Sequence, residues 1–207
     1  INSVLSSLNS IVSSSWNGYY NALYQVNNVL SIVESLPESE LRNLIIGEAH
    51  YFRAYIYHAL VTRWGGVPIQ KVNTMEKPFR DSEEAVWSFI EEELQTALAF
   101  LGTSSSYYYV SRDAALALKA RVMLERGNLT EAATLAEGLI TDGKYKLDSF
   151  DKIFRGKSNT EVIFSFQCLA EESNITISTL FYTYAHPNHG SYVYRPTNEV
   201  MNMYDDK

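Results

Sequence analysis

From residue 39 to residue 64 the apolar positions Leu41, Leu44, Ile45, Ala49, Phe52, Tyr55, Ile56, Ala59, Leu60 and Trp64 return at helical spacing. Residues so spaced share one face of an α-helix and of no other regular element. Gly65, Gly66 and Pro68 stop the run, since glycine closes a helix and proline cannot continue one. A helix of about seven turns with one apolar side cannot stand alone in water. The rest of the chain has to supply elements that cover it.

Four further helices are expected. Ile1, Val4, Leu5, Leu8, Ile11 and Val12 begin a stripe that continues through Trp16, Tyr19, Leu23, Val26, Leu30 and Val33 until Pro37 ends it. Asp81 and Glu84 form a D-x-x-E capping box, followed by Val86, Phe89, Ile90, Leu94, Ala97, Leu98 and Leu101 before Gly102. Ser111 opens RDAALALKARVMLER, closed by Gly127, and Asn128 with Glu131 opens LTEAATLAEGLI, closed by Asp142 and Gly143. These last two make a hairpin of short helices in which Ala114, Ala115, Ala117 and Ala120 permit close approach. That is the grammar of a tetratricopeptide-like unit. The segment EAHYFRAYIYHALVTRWGG ends on Gly65 as RDAALALKARVMLERGN ends on Gly127, with Ala54/Ala59 and Ala115/Ala120 similarly spaced, which supports an internal repeat.

Beyond residue 143 the periodicity changes. Glu161 to Gln167 partly alternates and is β-rich, with Val162, Phe164 and Phe166 on one face, and predicts a short strand. Ser173 to Tyr194 has no Asp, Glu, Lys or Arg, contains Pro187 and Gly190, and reads as an ordered loop. The expected fold class is mainly α: a tetratricopeptide-like helix-hairpin scaffold, an α-α superhelix, with a short β element and a long loop near the C-terminus. No low-complexity linker divides residues 1–207, so a single domain is expected.

Charge removes some functions. With 17 Lys plus Arg against 24 Asp plus Glu, the net charge of −7 leaves no electrostatic footprint for nucleic acid or for an anionic membrane surface. The single Cys168 excludes an internal disulfide framework. Residues 1–33 contain no Asp, Glu, Lys, Arg or His, but fifteen of them are Ser, Asn or Gln, so no membrane span is expected there. A basic and apolar leader is absent, as in a processed or trimmed chain. No nucleophile elbow, P-loop, dinucleotide fingerprint, zincin motif or EF-hand loop occurs. His50 and His58 lie eight residues apart on one helix, too far for chelation from adjacent turns, and His186 and His189 lack a third ligand nearby. Glu91, Glu92 and Glu93 splay around a helix and read as a solvated face. Neither a catalytic residue, a metal site nor a cofactor is expected.

The aromatic residues point elsewhere. Fifteen of the 27 aromatics are Tyr. Most stripe aromatics belong to a core, yet Trp16 and Tyr19 beside Asn17 could present stacking faces with an amide for sugar hydroxyls. Tyr107, Tyr108 and Tyr109 cannot all face one core because adjacent side chains diverge. Tyr182, Tyr184, Tyr192 and Tyr194 stand at two-residue steps in the uncharged loop.

Residues 47–70, GEAHYFRAYIYHALVTRWGGVPIQ, resemble the signature segment of the SusD/RagB family: a Gly-Glu-Ala start, aromatic-Arg-Ala-Tyr in mid-helix and an aromatic-Gly-Gly-Val-Pro exit. WNGYYNALYQVNNVLSIVESL, DSEEAVWSFIEEELQTAL, SRDAALALKARVMLERGNLTEAATLAEGLI and YRPTNEVMNMYDDK resemble its neighbouring stretches in the same order. The resemblance implies an outer-membrane lipoprotein of a Bacteroidetes-type bacterium, facing the exterior, that captures glycans and passes them without chemistry to a SusC-type TonB-dependent transporter. It implies scaffold roles for Glu48, Arg53, Tyr55, Gly65, Gly66 and Pro68, with Arg53 neutralising a buried carboxylate or capping a carbonyl and Glu48 as its possible partner. It nominates Trp16, Asn17, Tyr19 and the Tyr107, Tyr108 and Tyr109 loop for ligand. The family's lipidated Cys is expected upstream of Ile1, and its second half after Lys207. The alternative reading is a helical-repeat adaptor that holds a protein or peptide partner.

Overall fold

In the computed structural model the chain is described over residues 9–154, 158–167, 169, 180–187, 189–191 and 193–203. It divides into two compact units, Ile1–Ser165 and Phe166–Lys207.

The first unit holds five long helices. They are α1 (Ser10–Val33), α2 (Glu40–Trp64), α3 (Glu83–Phe100), α4 (Arg112–Glu125) and α5 (Leu129–Thr141), followed by the single turn α6 (Phe150–Phe154). Each long helix starts on a side chain that accepts a backbone N–H which the helix itself leaves unpaired: Asn9, Ser39, Ser82, Ser111 and Asn128. The expected start of α1 at residue 1 lies outside the described residues. The α3 cap differs from the expected Asp81 by one residue, because the Asp81 carboxylate accepts the Ile69 N–H at 2.7 Å and Ser82 caps the helix instead.

α2 packs between α1 and α3, α4 packs on α3, and α5 folds back on α4. The Gly127 turn with φ +78° makes that last hairpin possible, as expected. Leu23 of α1, Tyr57 and Leu60 of α2, Val86, Ile90 and Leu94 of α3 and Val122 of α4 are fully buried. Burial of each aliphatic side chain stabilises the fold by about 1.5–3 kcal/mol. α5 buries only Ala132 and leaves Leu129 and Ile140 exposed.

The link after α2 is drawn tight. Gly65 has φ +68°, and a Cβ on Gly66 would lie 2.2 Å from the Asp81 carbonyl oxygen. The Pro68 carbonyl accepts the Tyr20 hydroxyl at 2.9 Å and the Tyr57 hydroxyl at 3.3 Å, joining α1 and α2 to the link. Gly47 has a comparable reason, since a Cβ there would meet Leu101 at 2.9 Å. Glycine at 47, 65 and 66 is thus required by packing or by backbone conformation.

The strand expected over 161–167 does not form, and no strand occurs among the described residues. Ser165 donates one backbone bond, to the Tyr107 carbonyl at 2.9 Å, and a β-rich composition without a partner strand makes no ladder. In the second unit, Tyr194 N–H donates to the Leu180 carbonyl, Tyr182 stacks on His186 with centroids 3.9 Å apart, and Thr197 caps the short helix α7 (Asn198–Met201). Cys168, residues 173–179, residue 188 and Tyr192 lie outside the described residues.

Candidate functional site

Two constellations of polar residues stand out, and they do different work. The first is inside the helical core. α1, α2 and α3 each place a polar residue among their buried apolar ones, Asn27, Arg53 and Glu93 respectively. They meet. The Arg53 Nε and Nη2 donate to the Glu93 carboxylate at 2.6 and 2.8 Å, and its Nη1 donates to Asn27 Oδ1 and to the Lys71 carbonyl, both at 3.2 Å. His50 Nδ1 lies 2.8 Å from Glu93 Oε2. Desolvation pushes the Glu93 carboxyl up, but the hydrogen bonds and charges of His50 and Arg53 outweigh it and hold the group below the usual carboxylate range. Arg53 therefore both neutralises a carboxylate and caps a carbonyl. Its partner is Glu93 rather than Glu48, which is half-buried with its carboxyl raised by desolvation. Glu93 also departs from the expected solvated face: it falls on the same stripe as Val86, Ile90 and Ala97.

The aromatic nominees on α1 lie beside this scaffold. Trp16 and Tyr19 both pack edge-on against Trp64, with centroids 5.3 and 6.1 Å away, and the Arg63 guanidinium sits over the Tyr19 ring. Both are half-buried, while Asn17 is exposed. Tyr55 is stacked on Tyr51 at the edge of α2.

The second constellation is a cleft of about 190 Å³ in the first unit, between the α3–α4 loop and the chain that follows α5. One wall is Ser104, Ser105, Ser106 and Tyr107, and the other is Lys144, Tyr145, Asn159, Thr160, Val162 and Ile163, with Ser111 at the α4 end. The loop wall is held at its base by Leu101 and Val110, which are buried, and by the Arg112 N–H to the Gly102 carbonyl at 2.8 Å. Ser104 Oγ accepts the Ser106 N–H at 3.2 Å and donates to the Ser106 carbonyl at 2.8 Å, which fixes the turn before Tyr107. The facing wall is laced by Lys146 N–H to the Thr160 carbonyl, the Thr160 hydroxyl to the Lys146 carbonyl, and the Val162 N–H to Asn159 Oδ1. Tyr107 and Tyr108 lie ring to ring at 4.5 Å and both are half-buried, whereas Tyr109 is 66% exposed. Of the nominated ligand residues, Tyr107 alone lines the cleft. Trp16, Asn17 and Tyr19 do not.

Behind the facing wall, one Asp113 oxygen accepts from Lys144 Nζ at 2.6 Å and from the Tyr145 hydroxyl at 2.8 Å. The Asp113 carboxyl is pushed up by desolvation and pulled further down by those two bonds and by the Lys144 and Arg112 charges, for a net fall. Lys144, Tyr145, Asn159 and Thr160 escaped the sequence reading because they sit in irregular segments with no period. The one local sign was the Gly143-Lys-Tyr exit from α5. No group of three His, Cys, Asp or Glu side chains among the described residues is placed to hold a metal ion.

Residues 2–124 match the SusD-like family described as starch-binding and associating with the outer membrane. The chain belongs to the SusD-like family. It is 27% identical over 146 residues to a SusD-like protein of Formosa agariphila, covering 68% of this chain and 28% of that protein. A SusD-like protein of Bacteroides ovatus is 28% identical over 142 residues, covering 65% of this chain and 26% of its own. This SusD-like chain therefore spans little more than a quarter of the curated relatives it matches. Among solved structures, a SusD-like protein of Bacteroides fragilis superposes with TM-score 0.65 at 29% identity, covering 75% of this chain and 33% of that one. A structure solved with a xylogluco-oligosaccharide has TM-score 0.76 at 24% identity over 88% of this chain and 40% of that one, a likeness of fold. The SusD-like family is one of carbohydrate-binding proteins and not of enzymes. No helix among the described residues is long and apolar enough to cross a membrane.

Proposed function

We propose that the protein captures a saccharide at the outer face of the outer membrane and delivers it, chemically unchanged, to a SusC-type TonB-dependent transporter. A lipid on an N-terminal Cys outside this chain would hold it there. The observation that carries the reading is the cleft: a Tyr107 ring for the apolar face of a sugar, set among Ser104, Ser106, Asn159 and Thr160, whose hydroxyl and amide groups suit a polyol. A volume of about 190 Å³ is below that of clefts for drug-sized ligands and suits a single sugar ring of a longer chain. Membership of the SusD-like family, described as starch-binding, supports the same class of ligand.

Calorimetric titration of the full-length protein with neutral oligosaccharides tests it. Binding of at least one is expected, and Tyr107→Ala should weaken it about tenfold, the loss of one ring stacked on a sugar. Absence of binding across a broad panel would remove the capture reading. Affinity purification from the outer membrane tests delivery: a TonB-dependent transporter should co-purify, and its consistent absence would leave capture without a recipient.

A further inference from the structure

Resting on the capture reading, the geometry points to a selectivity that the family description does not assign: we infer that the cleft takes uncharged sugar rings and rejects uronate or sulfated ones, through the Asp113–Lys144–Tyr145 contact. Among the described residues on the walls, Lys144 is the only one with a formal charge. Its ammonium is already matched, 2.6 Å from Asp113 Oδ2, and that same oxygen accepts a hydrogen bond from the Tyr145 hydroxyl at 2.8 Å. Asp113 lies in the first turn of α4 and is largely shielded from solvent. The helix N-terminus holds its negative charge in place.

The Lys144 ammonium sets which ligand groups the cleft can hold. With one N–H committed to Asp113, its remaining donors can serve neutral sugar hydroxyls, which accept a hydrogen bond without a competing charge. A carboxylate or sulfate seeking the same ammonium must approach the Asp113 carboxylate closely, or draw Lys144 away and leave Asp113 unpaired. Both are opposed by the Asp113 charge, which Lys144 contacts at 2.6 Å and the Tyr145 hydroxyl at 2.8 Å. The other described wall residues are Ser, Thr, Asn, Tyr and aliphatic side chains, which carry no cation to offset that repulsion. The overall charge of −7 acts in the same direction on approach.

The test compares neutral probes, namely malto-, laminari- and xylogluco-oligosaccharides, with oligogalacturonate and a sulfated galactan oligosaccharide. All are titrated into the full-length wild-type protein and into Asp113→Asn. For the wild type, the tightest neutral probe should bind at least tenfold more tightly than either anion, and its affinity should change less than twofold between low and high salt. In Asp113→Asn the Lys144 charge is released, so anionic probes should gain at least fivefold and show salt-sensitive binding. Circular dichroism confirms that the variant is folded; should it unfold, the wild-type preference and salt response decide alone. An anionic probe that equals or exceeds the neutral ones on the wild type would overturn the selectivity while leaving glycan capture standing. Failure of every probe on the wild type would overturn capture itself, and the selectivity with it.

Discussion

Replacing Arg53 with methionine should be among the most costly single changes in the helical unit, and its size can be worked from the contacts. The guanidinium makes two bonds to Glu93, one to Asn27 and one to the Lys71 carbonyl, and Arg53 and Glu93 are only 7% and 5% exposed. Methionine fills the space of the stem but leaves a buried carboxylate with His50 as its sole remaining polar side-chain neighbour in the cluster. Removing one partner of a buried pair costs about 3–5 kcal/mol. At a urea dependence of about 2 kcal/mol per molar, the midpoint should fall by roughly 2 M. Urea titration followed by circular dichroism and by the fluorescence of the three tryptophans measures it. The pH dependence carries a second check. In the wild type Glu93 is held below its ordinary range, so its contribution is present above the unfolded carboxylate value of about 4.3 and is lost as pH falls through the lower folded value. In Arg53→Met desolvation acts with less opposition and the folded pKa rises. The deficit relative to wild type should therefore widen from pH 4 to pH 7. The double replacement Arg53→Met with Glu93→Leu should recover at least about 1 kcal/mol over the single variant, because no charge is left stranded. A single-variant loss under about 1 kcal/mol, or one that does not change with pH, would refute the idea that this pair is an interdependent buried contact.

Three further outcomes are expected. Gly66→Ala should cost about 3 kcal/mol or more in chemical denaturation, since its Cβ would fall 2.2 Å from a backbone oxygen, whereas Gly138→Ala on α5, with open space around it, should stabilise by about 0.5–1 kcal/mol. Leu23→Ala, at a fully buried α1 position, should cost about 2–5 kcal/mol by the same measurement. Tyr109→Ala, at a 66% exposed position, should change thermal stability little, and its effect on sugar affinity should be smaller than that of Tyr107→Ala.

The helices were legible because their signals are local. The α2 stripe, the serine cap of α4, and the glycine stops at Gly65 and Gly127 each report a backbone requirement within a few residues. The pairing of Arg53 with Glu93 was less visible, although the sequence held a clue: Ala49, Arg53, Ile56 and Leu60 follow the same four-three-four steps as Val86, Ile90, Glu93 and Ala97. A charged residue on an apolar stripe calls for a partner on the facing stripe, and reading Glu91 to Glu93 as one run concealed it. The cleft was the least legible part. Tyr107 could be nominated because three adjacent tyrosines cannot share one core, but Lys144, Tyr145, Asn159 and Thr160 reach it through turns and caps in a segment without period. Trp16 and Tyr19, whose spacing suits a sugar platform, are half-buried and each packs edge-on against Trp64.

The most direct measurement of saccharide capture is a crystal structure of the full-length protein with the tightest-binding neutral oligosaccharide. A sugar ring stacked within about 4 Å of Tyr107, with hydroxyls bonded to the Ser104–Ser106 turn and the Asn159–Thr160 wall, is the expected result. A well-ordered ligand bound entirely elsewhere, with this cleft filled only by water, would contradict it.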